Sequence, residues 1–169
     1  MNKVNFCDKC NLCDNGKLVW GEGNINADLF FIGEAPGADE AKAGRPFVGR
    51  CGRYFTTLLN ECNINRKDVY ISNIVKHRPP DNRAPFFDEI KACQQYLIEE
   101  IREVNPKLII TLGRTSGNWW NHYRPFIINQ YYPTRKWLPL YHPSYLLRRQ
   151  KTEPIKWKEA LLKTMKEIL

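Results

Sequence analysis

Four consecutive apolar side chains at positions 29–32, two phenylalanines between a leucine and an isoleucine, leave no polar face for solvent and predict a buried strand. The run stops at Gly33, and Pro36 and Gly37 force a turn directly after it. Beyond Gly49, Tyr54, Phe55, Leu58 and Leu59 recur at helical spacing, which predicts a helix of about a dozen residues crossing over to a second strand at 69–75. Residues 86–104 return to the helical period, with Ile90, Cys93, Tyr96, Leu97 and Ile101 on one face and Asp88, Glu89, Glu99 and Glu100 on the others. A third apolar strand at 108–112 ends at Gly113 and Arg114, where a helix running through Trp119 and Trp120 should begin. Residues 123–134 are aromatic but follow neither period. A short fourth strand at 137–141 and an amphipathic helix at 157–169, with lysines on its outer face, close the chain, while Val19 and Trp20 pack the leading segment onto the sheet.

Four short strands separated by helices argue a parallel sheet with helices on both faces. The turns at Gly33, Asn73 and His142 then follow strand ends on one edge, the edge where such sheets bind ligands. A chain of 169 residues is long enough to bury a proper core as one domain, 1–169. Lys and Arg outnumber Asp and Glu by 26 to 18, a net charge of +8 that favours a polyanionic partner such as nucleic acid. No segment reaches the apolar length that spans a bilayer, and the amino terminus lacks the apolar core of a secretion signal, so a cytoplasmic protein without a membrane partner is expected. In that reducing compartment the six cysteines are not expected to form three structural disulfides.

The chemistry-bearing residues fall in the turns. Cys7, Cys10 and Cys13 make a doubled C-x-x-C, a spacing open to zinc, an iron-sulfur cluster or a redox pair. Cys51 and Cys62 accompany the first long helix and read as small buried apolar groups. Around Glu34 two glycines allow backbone N–H groups and one carboxylate to face whatever lies beyond the strand. Phe47, set between Pro46 and Gly49, reads as an exposed, stiffly held stacking platform. Lys76, His77, Arg78 and Arg83 share a loop made rigid by three prolines. After His142, Tyr145, Leu146 and Leu147 stand beside Ser144, Arg148 and Arg149, and large apolar groups in a solvent loop are costly unless they bind something.

Taken together, GEAPGADE followed by GRPFVG, with SNIVKHRPPDNRAP, TLGR and HPSYLLR downstream, resembles the uracil-DNA glycosylase superfamily, specifically its family 4, the iron-sulfur branch. The match runs nearly the length of the chain. It implies a three-layer α/β/α domain with a four-stranded parallel sheet, and a monomer that flips uracil out of uracil-containing DNA and hydrolyses its N-glycosidic bond, opening base-excision repair. By the same resemblance Phe47 stacks on the flipped pyrimidine and Asn73 reads its Watson–Crick edge, where cytosine would leave buried polar groups unpaired. Gly33 and Ala35 complete the uracil-binding turn. Glu40 matches an acidic position that crowds C5 against thymine's methyl, although a first-turn glutamate favouring its helix N-terminus is an equal reading. His142 would donate to uracil O2, and Glu34 would stabilise the sugar cation or orient the attacking water. Ser144, Tyr145, Leu146, Leu147 and Arg148 would form a wedge into the duplex, with Arg78 and Arg83 among the cations on DNA.

The resemblance further implies a 4Fe-4S cluster held by Cys7, Cys10, Cys93 and the residue after Lys76, where the family has cysteine and this chain has His77. Three arrangements follow: ligation by His77, substitution by Cys13, or no cluster. Ligation by His77 is preferred, because replacement in place reroutes no backbone. Two other functions compete with hydrolysis. One is a binder forming a covalent or non-productive complex with uracil-DNA, whose relatives carry a basic insert with a nucleophilic histidine that is absent here. The other is a catalytically dead DNA-binding accessory module, against which the joint presence of Glu34, Phe47, Asn73 and His142 speaks.

Overall fold

Alternate residues of the apolar runs part to opposite faces of one sheet, and each face is covered by helices. A computed structural model describes residues 7–14, 16–131, 136–149 and 152–169, the side chains of 124–131 excepted. The chain runs β1 (Glu22–Gly23), β2 (Leu29–Gly33), α1 (Ala38–Ala43), α2 (Arg50–Glu61), β3 (Tyr70–Asn73), α3 (Phe87–Val104), β4 (Leu108–Leu112), α4 (Arg114–Tyr131), β5 (Lys136–Leu140), α5 (Pro143–Arg148) and α6 (Glu153–Lys166). Leu29, Phe31, Ile71 and Ile110 face a core completed by Phe55, Leu58 and Leu59 of α2 and by Trp157 and Leu161 of α6. Phe30, Ile32, Tyr70 and Ile109 face the other, completed by Cys93, Leu97 and Ile101 of α3 and by Trp119 and Trp120 of α4.

The sheet is five-stranded and mixed, not four-stranded and parallel. Its order is β1-β3-β2-β4-β5; β2, β3, β4 and β5 pair in parallel, and β1 lies antiparallel on the β3 edge with Glu22 opposite Ile71. A two-residue strand containing a glycine carries no periodicity, so β1 is invisible to pattern reading. β2 has β3 on one side and β4 on the other, which makes its carboxyl end the point where the chain reverses direction across the sheet, the usual position of a ligand crevice.

Three further departures have physical causes. α4 continues through the segment that follows neither period and ends at Tyr131; residues 132–134 lie outside those described. The proline loop avoids α-helix but contains a 3-10 turn at Pro80–Asn82, with Asp81 and Asn82 at positive φ. Glu89 and Glu100, expected on outer faces of α3, are buried. Glu100 pairs with the equally buried Lys76 at 2.6 Å, and it accepts from Ser72 Oγ at 2.5 Å and from the Gly21 amide at 2.6 Å. Burial of a charge is tolerated here because an opposite charge and hydrogen bonds meet both oxygens. Among the described residues no helix is long and apolar enough to cross a membrane.

Candidate active site

Beyond the carboxyl ends of the parallel strands lies a cavity of about 510 Å³, lined by Glu34, Ala35, Glu40, Phe47, Cys51, Asn73, Arg83, Arg114, His142 and Ser144, among others. A wider groove of about 850 Å³ runs along β5 between α4 and α6; it shares Gly113 and Arg114 with the smaller cavity but touches none of Glu34, Phe47, Asn73 and His142. Chemistry and shape coincide in the smaller cavity. Backbone pairing carries β2 and β3 past their ends, with the Ile74 amide on the Gly33 carbonyl at 3.1 Å and the Val75 amide on the Glu34 carbonyl at 3.3 Å, so Glu34 and Asn73 emerge side by side.

Gly33 is required by close approach. A Cβ there would collide with Asn73 Oδ1 and come within 2.7 Å of the Phe47 ring, so the missing side chain is what lets the amide and the ring share one wall. Phe47 is stiffly held, as expected, but it is not exposed. Only 7% of its surface remains accessible, and its ring packs 5.2 Å from that of Phe55 and 5.9 Å from that of His142. Its φ of 52° is unusual for a bulky residue and is imposed from outside. Arg66 donates to the carbonyls of Phe47 at 3.1 Å and Pro46 at 2.7 Å, and itself sits 3.7 Å from Glu22, which Arg45 binds through two nitrogens. Arg66 lies nineteen positions from Phe47 in a polar turn, and no local pattern announces it.

Glu40 is neither a free wall of the cavity nor a solvated helix-end glutamate. One carboxylate oxygen accepts from the Val48 and Gly49 amides at 3.1 and 3.0 Å, and the other from the Gly37 amide at 3.1 Å. It therefore caps α1 and ties the Phe47 loop to the Gly33–Gly37 turn.

His142 caps α5. Its Nδ1 accepts from the Ser144 amide at 3.2 Å and lies 2.9 Å from Ser144 Oγ and 3.9 Å from Cys51 Sγ. A backbone N–H can only donate, so Nδ1 is the acceptor and the ring proton belongs on Nε2. Burial, aided by the Arg148 charge and opposed by Glu40, pushes the imidazole down to about 4, so the ring is neutral at physiological pH. Cys51 is thus a cavity residue rather than core packing, and burial pushes its thiol up to about 11. Cys62 is buried, as expected.

The loop after His142 divides. Leu146 is fully buried in the core with α2 and α6, which removes it from the wedge surface; Tyr145 and Leu147 are half-buried and Arg148 is exposed. Tyr141, unremarked in the sequence, is exposed and stacks on Tyr145 at 4.7 Å. In the proline loop Arg78 bonds Asn82 at 2.9 Å, and Arg83 forms a two-pronged pair with Glu89 at 2.6 and 2.9 Å, which compensates its charge.

Cys7 and Cys93 are buried and Cys10 is half-buried; burial pushes the Cys10 thiol up and the Cys93 thiol up to about 11, and the charge of Cys10 opposes ionisation of Cys93. Cys13 turns to Asp14, 3.8 Å away. His77 is buried, and its Nδ1 has no hydrogen-bond partner among the described residues. An orphaned imidazole nitrogen and three thiols are the donor types that an iron-sulfur cluster takes, one to each iron. They do not form a cage for a single ion: among the described residues no three His, Cys, Asp or Glu side chains converge closely enough to hold one.

Comparison with known proteins agrees with this geometry. The family model of the uracil DNA glycosylase superfamily matches residues 20–166. A Type-4 uracil-DNA glycosylase of Thermotoga maritima is 41% identical over 159 residues, covering 89% of this chain and 83% of that one. One of Saccharolobus solfataricus is 49% identical over 120 residues, 70% of this chain and 56% of that protein's length. Among solved structures, a putative uracil DNA glycosylase of Methanosarcina acetivorans has a TM-score of 0.60 at 13% identity, covering 86% of this chain and 96% of that one, a likeness of fold. With the superfamily model spanning the sheet and every turn around the cavity, the chain belongs to the uracil-DNA glycosylase superfamily, alongside its type-4 members.

Proposed function

We propose that this chain is a DNA glycosylase that takes a flipped uracil into the 510 Å³ cavity and hydrolyses its N-glycosidic bond, acting on uracil-containing DNA to open base-excision repair. The observation that carries the reading is the meeting of Glu34, Phe47, Asn73 and a neutral, Nε2-protonated His142 around one cavity. Phe47 offers its ring to the pyrimidine, and the Asn73 amide pairs with the N3–H and O4 pattern that cytosine inverts. When the C1′–N1 bond breaks, its electron pair leaves with the base and spreads to O2, where His142 Nε2–H donates a hydrogen bond. Glu34 orients a water for attack on C1′ and takes its proton. Glu40 acts through the backbone, holding the Phe47 loop against the Gly33 turn.

Cys7, Cys10, Cys93 and His77 would hold a 4Fe-4S cluster. The hydrolysis transfers no electrons, so the group supplies a tie between the amino-terminal segment, the loop after β3 and α3. The whole chain acts as one glycosylase domain, a cytoplasmic monomer. Incubating it with a single-uracil oligonucleotide, then alkali and a denaturing gel, should give one strand break at the uracil. His142→Ala should slow it by about 10²–10³-fold, the usual effect of removing one donor to a developing oxyanion. An uncut strand at enzyme excess would refute the assignment.

A further inference from the structure

Phe86 and Phe87, where the proline loop enters α3, are 58% and 66% exposed, the most exposed phenylalanines among the described residues. Exposed aromatics in a loose loop would need no explanation. Phe86, however, is held from two sides, by groups that also hold each other. The Arg83 guanidinium lies 3.8 Å from its ring centroid, Glu89 accepts from its backbone amide at 2.7 Å, and the same Glu89 grips Arg83 with both oxygens. The rigid 3-10 turn precedes it, with Arg78 bonded to Asn82. So many restraints on a ring that buries little make it a preorganised surface, one that loses little conformational freedom when something stacks on it.

Its place identifies the occupant. Arg83, which carries the ring, and Asn82 line the cavity, so Phe86 stands on its lip, where the strand on either side of an inserted nucleotide must run. Local charge is balanced, Arg83 against Glu89 with Asp88 exposed beside Phe87, which suits the flat face of a base better than a phosphate. We propose that Phe86, with Phe87 beside it, is a stacking platform for the nucleobase adjacent to the uracil. The proposal rests on the glycosylase reading and extends it to a second binding element besides the loop after His142.

The test compares the intact chain with Phe86→Ala, Phe87→Ala and Phe86→Trp on single-stranded uracil oligonucleotides. Phe86→Ala should raise KM on the order of tenfold with the saturating single-turnover rate unchanged, and Phe86→Trp should restore it. In a strand with 5-iodocytosine next to a 2′-fluorinated deoxyuridine, which binds without being cleaved, irradiation should cross-link the peptide containing Phe86 from one side of the uracil. Unchanged KM together with cross-links only to other peptides would overturn the platform and assign the patch to a protein partner. Were the intact chain to excise no uracil, the glycosylase reading would fail separately, and cross-linking to the uncleavable strand would still decide the platform.

Discussion

One hydrogen bond, from the Ser144 amide to His142 Nδ1, decides which nitrogen of the imidazole carries the proton. The same ring is held far below its ordinary 6.5, at about 4, mainly by burial, and this gives a pH signature. The dependence of kcat/KM on pH should lack a limb near 6.5 and should show an acidic limb near 4 that His142→Ala removes. Because the folded-state value is depressed, the unfolded chain takes up a proton below about 6.5 that the folded chain refuses until about 4, so stability is lost as pH falls through that window. A limb at 6.5 that disappears with His142→Ala would contradict a neutral histidine. Asn73→Asp replaces the donor that O4 needs with a second acceptor and should reduce uracil excision by about 10²–10³-fold; single-turnover excision near the wild-type rate would move base recognition elsewhere. Asn73 and His142 were legible in the sequence because each stands at a strand end inside a short, rigid motif. Phe47 was legible as a ring but not as a buried one, since its ring meets His142, far along the chain, and its backbone is fixed by Arg66, nineteen positions on.

At the level of elements, apolar runs announced β2, β4 and the helices that cross between strands, because burial of a whole strand or of one helix face leaves a period in the chain. The period cannot show which charged residue will find a buried partner. Glu100 looks like an outer-face residue of α3 until Lys76, in the loop after β3, meets it. Lys76→Met should therefore destabilise the fold by roughly 3–5 kcal/mol, leaving the Glu100 carboxylate buried and unpaired, and joint replacement with Glu100→Leu should recover most of the loss. Equal losses in chemical denaturation for the single and double variants would show that pairing is not what matters. Lys76 also donates to the Asn73 carbonyl at 3.0 Å, so this buried pair underlies the β3 end of the cavity. The neighbouring His77 gives the cluster assignment its test. Anaerobically purified protein should be brown, His77→Cys should keep the colour, His77→Ala should weaken it, and Cys13→Ser should leave it intact. Bleaching by Cys13→Ser but not by His77→Ala would transfer the fourth ligand to the amino-terminal segment.

Across the whole molecule, the motif turns after β2, β3 and β5 were readable one at a time, and their convergence followed from the parallel order of the strands. What the sequence could not convey was the β1 edge, the division of the loop after His142 into buried Leu146 and exposed Arg148, and the use of Glu40 as a backbone clamp, since each depends on contacts made only after folding. The central claim is that the assembled cavity hydrolyses the glycosidic bond rather than retaining the base or the sugar. The most direct measurement is of both products from a uracil-containing oligonucleotide under single-turnover conditions, free uracil by chromatography and abasic aldehyde by derivatisation. Equimolar uracil and abasic sites, with no protein–DNA adduct surviving denaturation, are expected. A denaturation-resistant adduct, or binding without free uracil, would contradict the account.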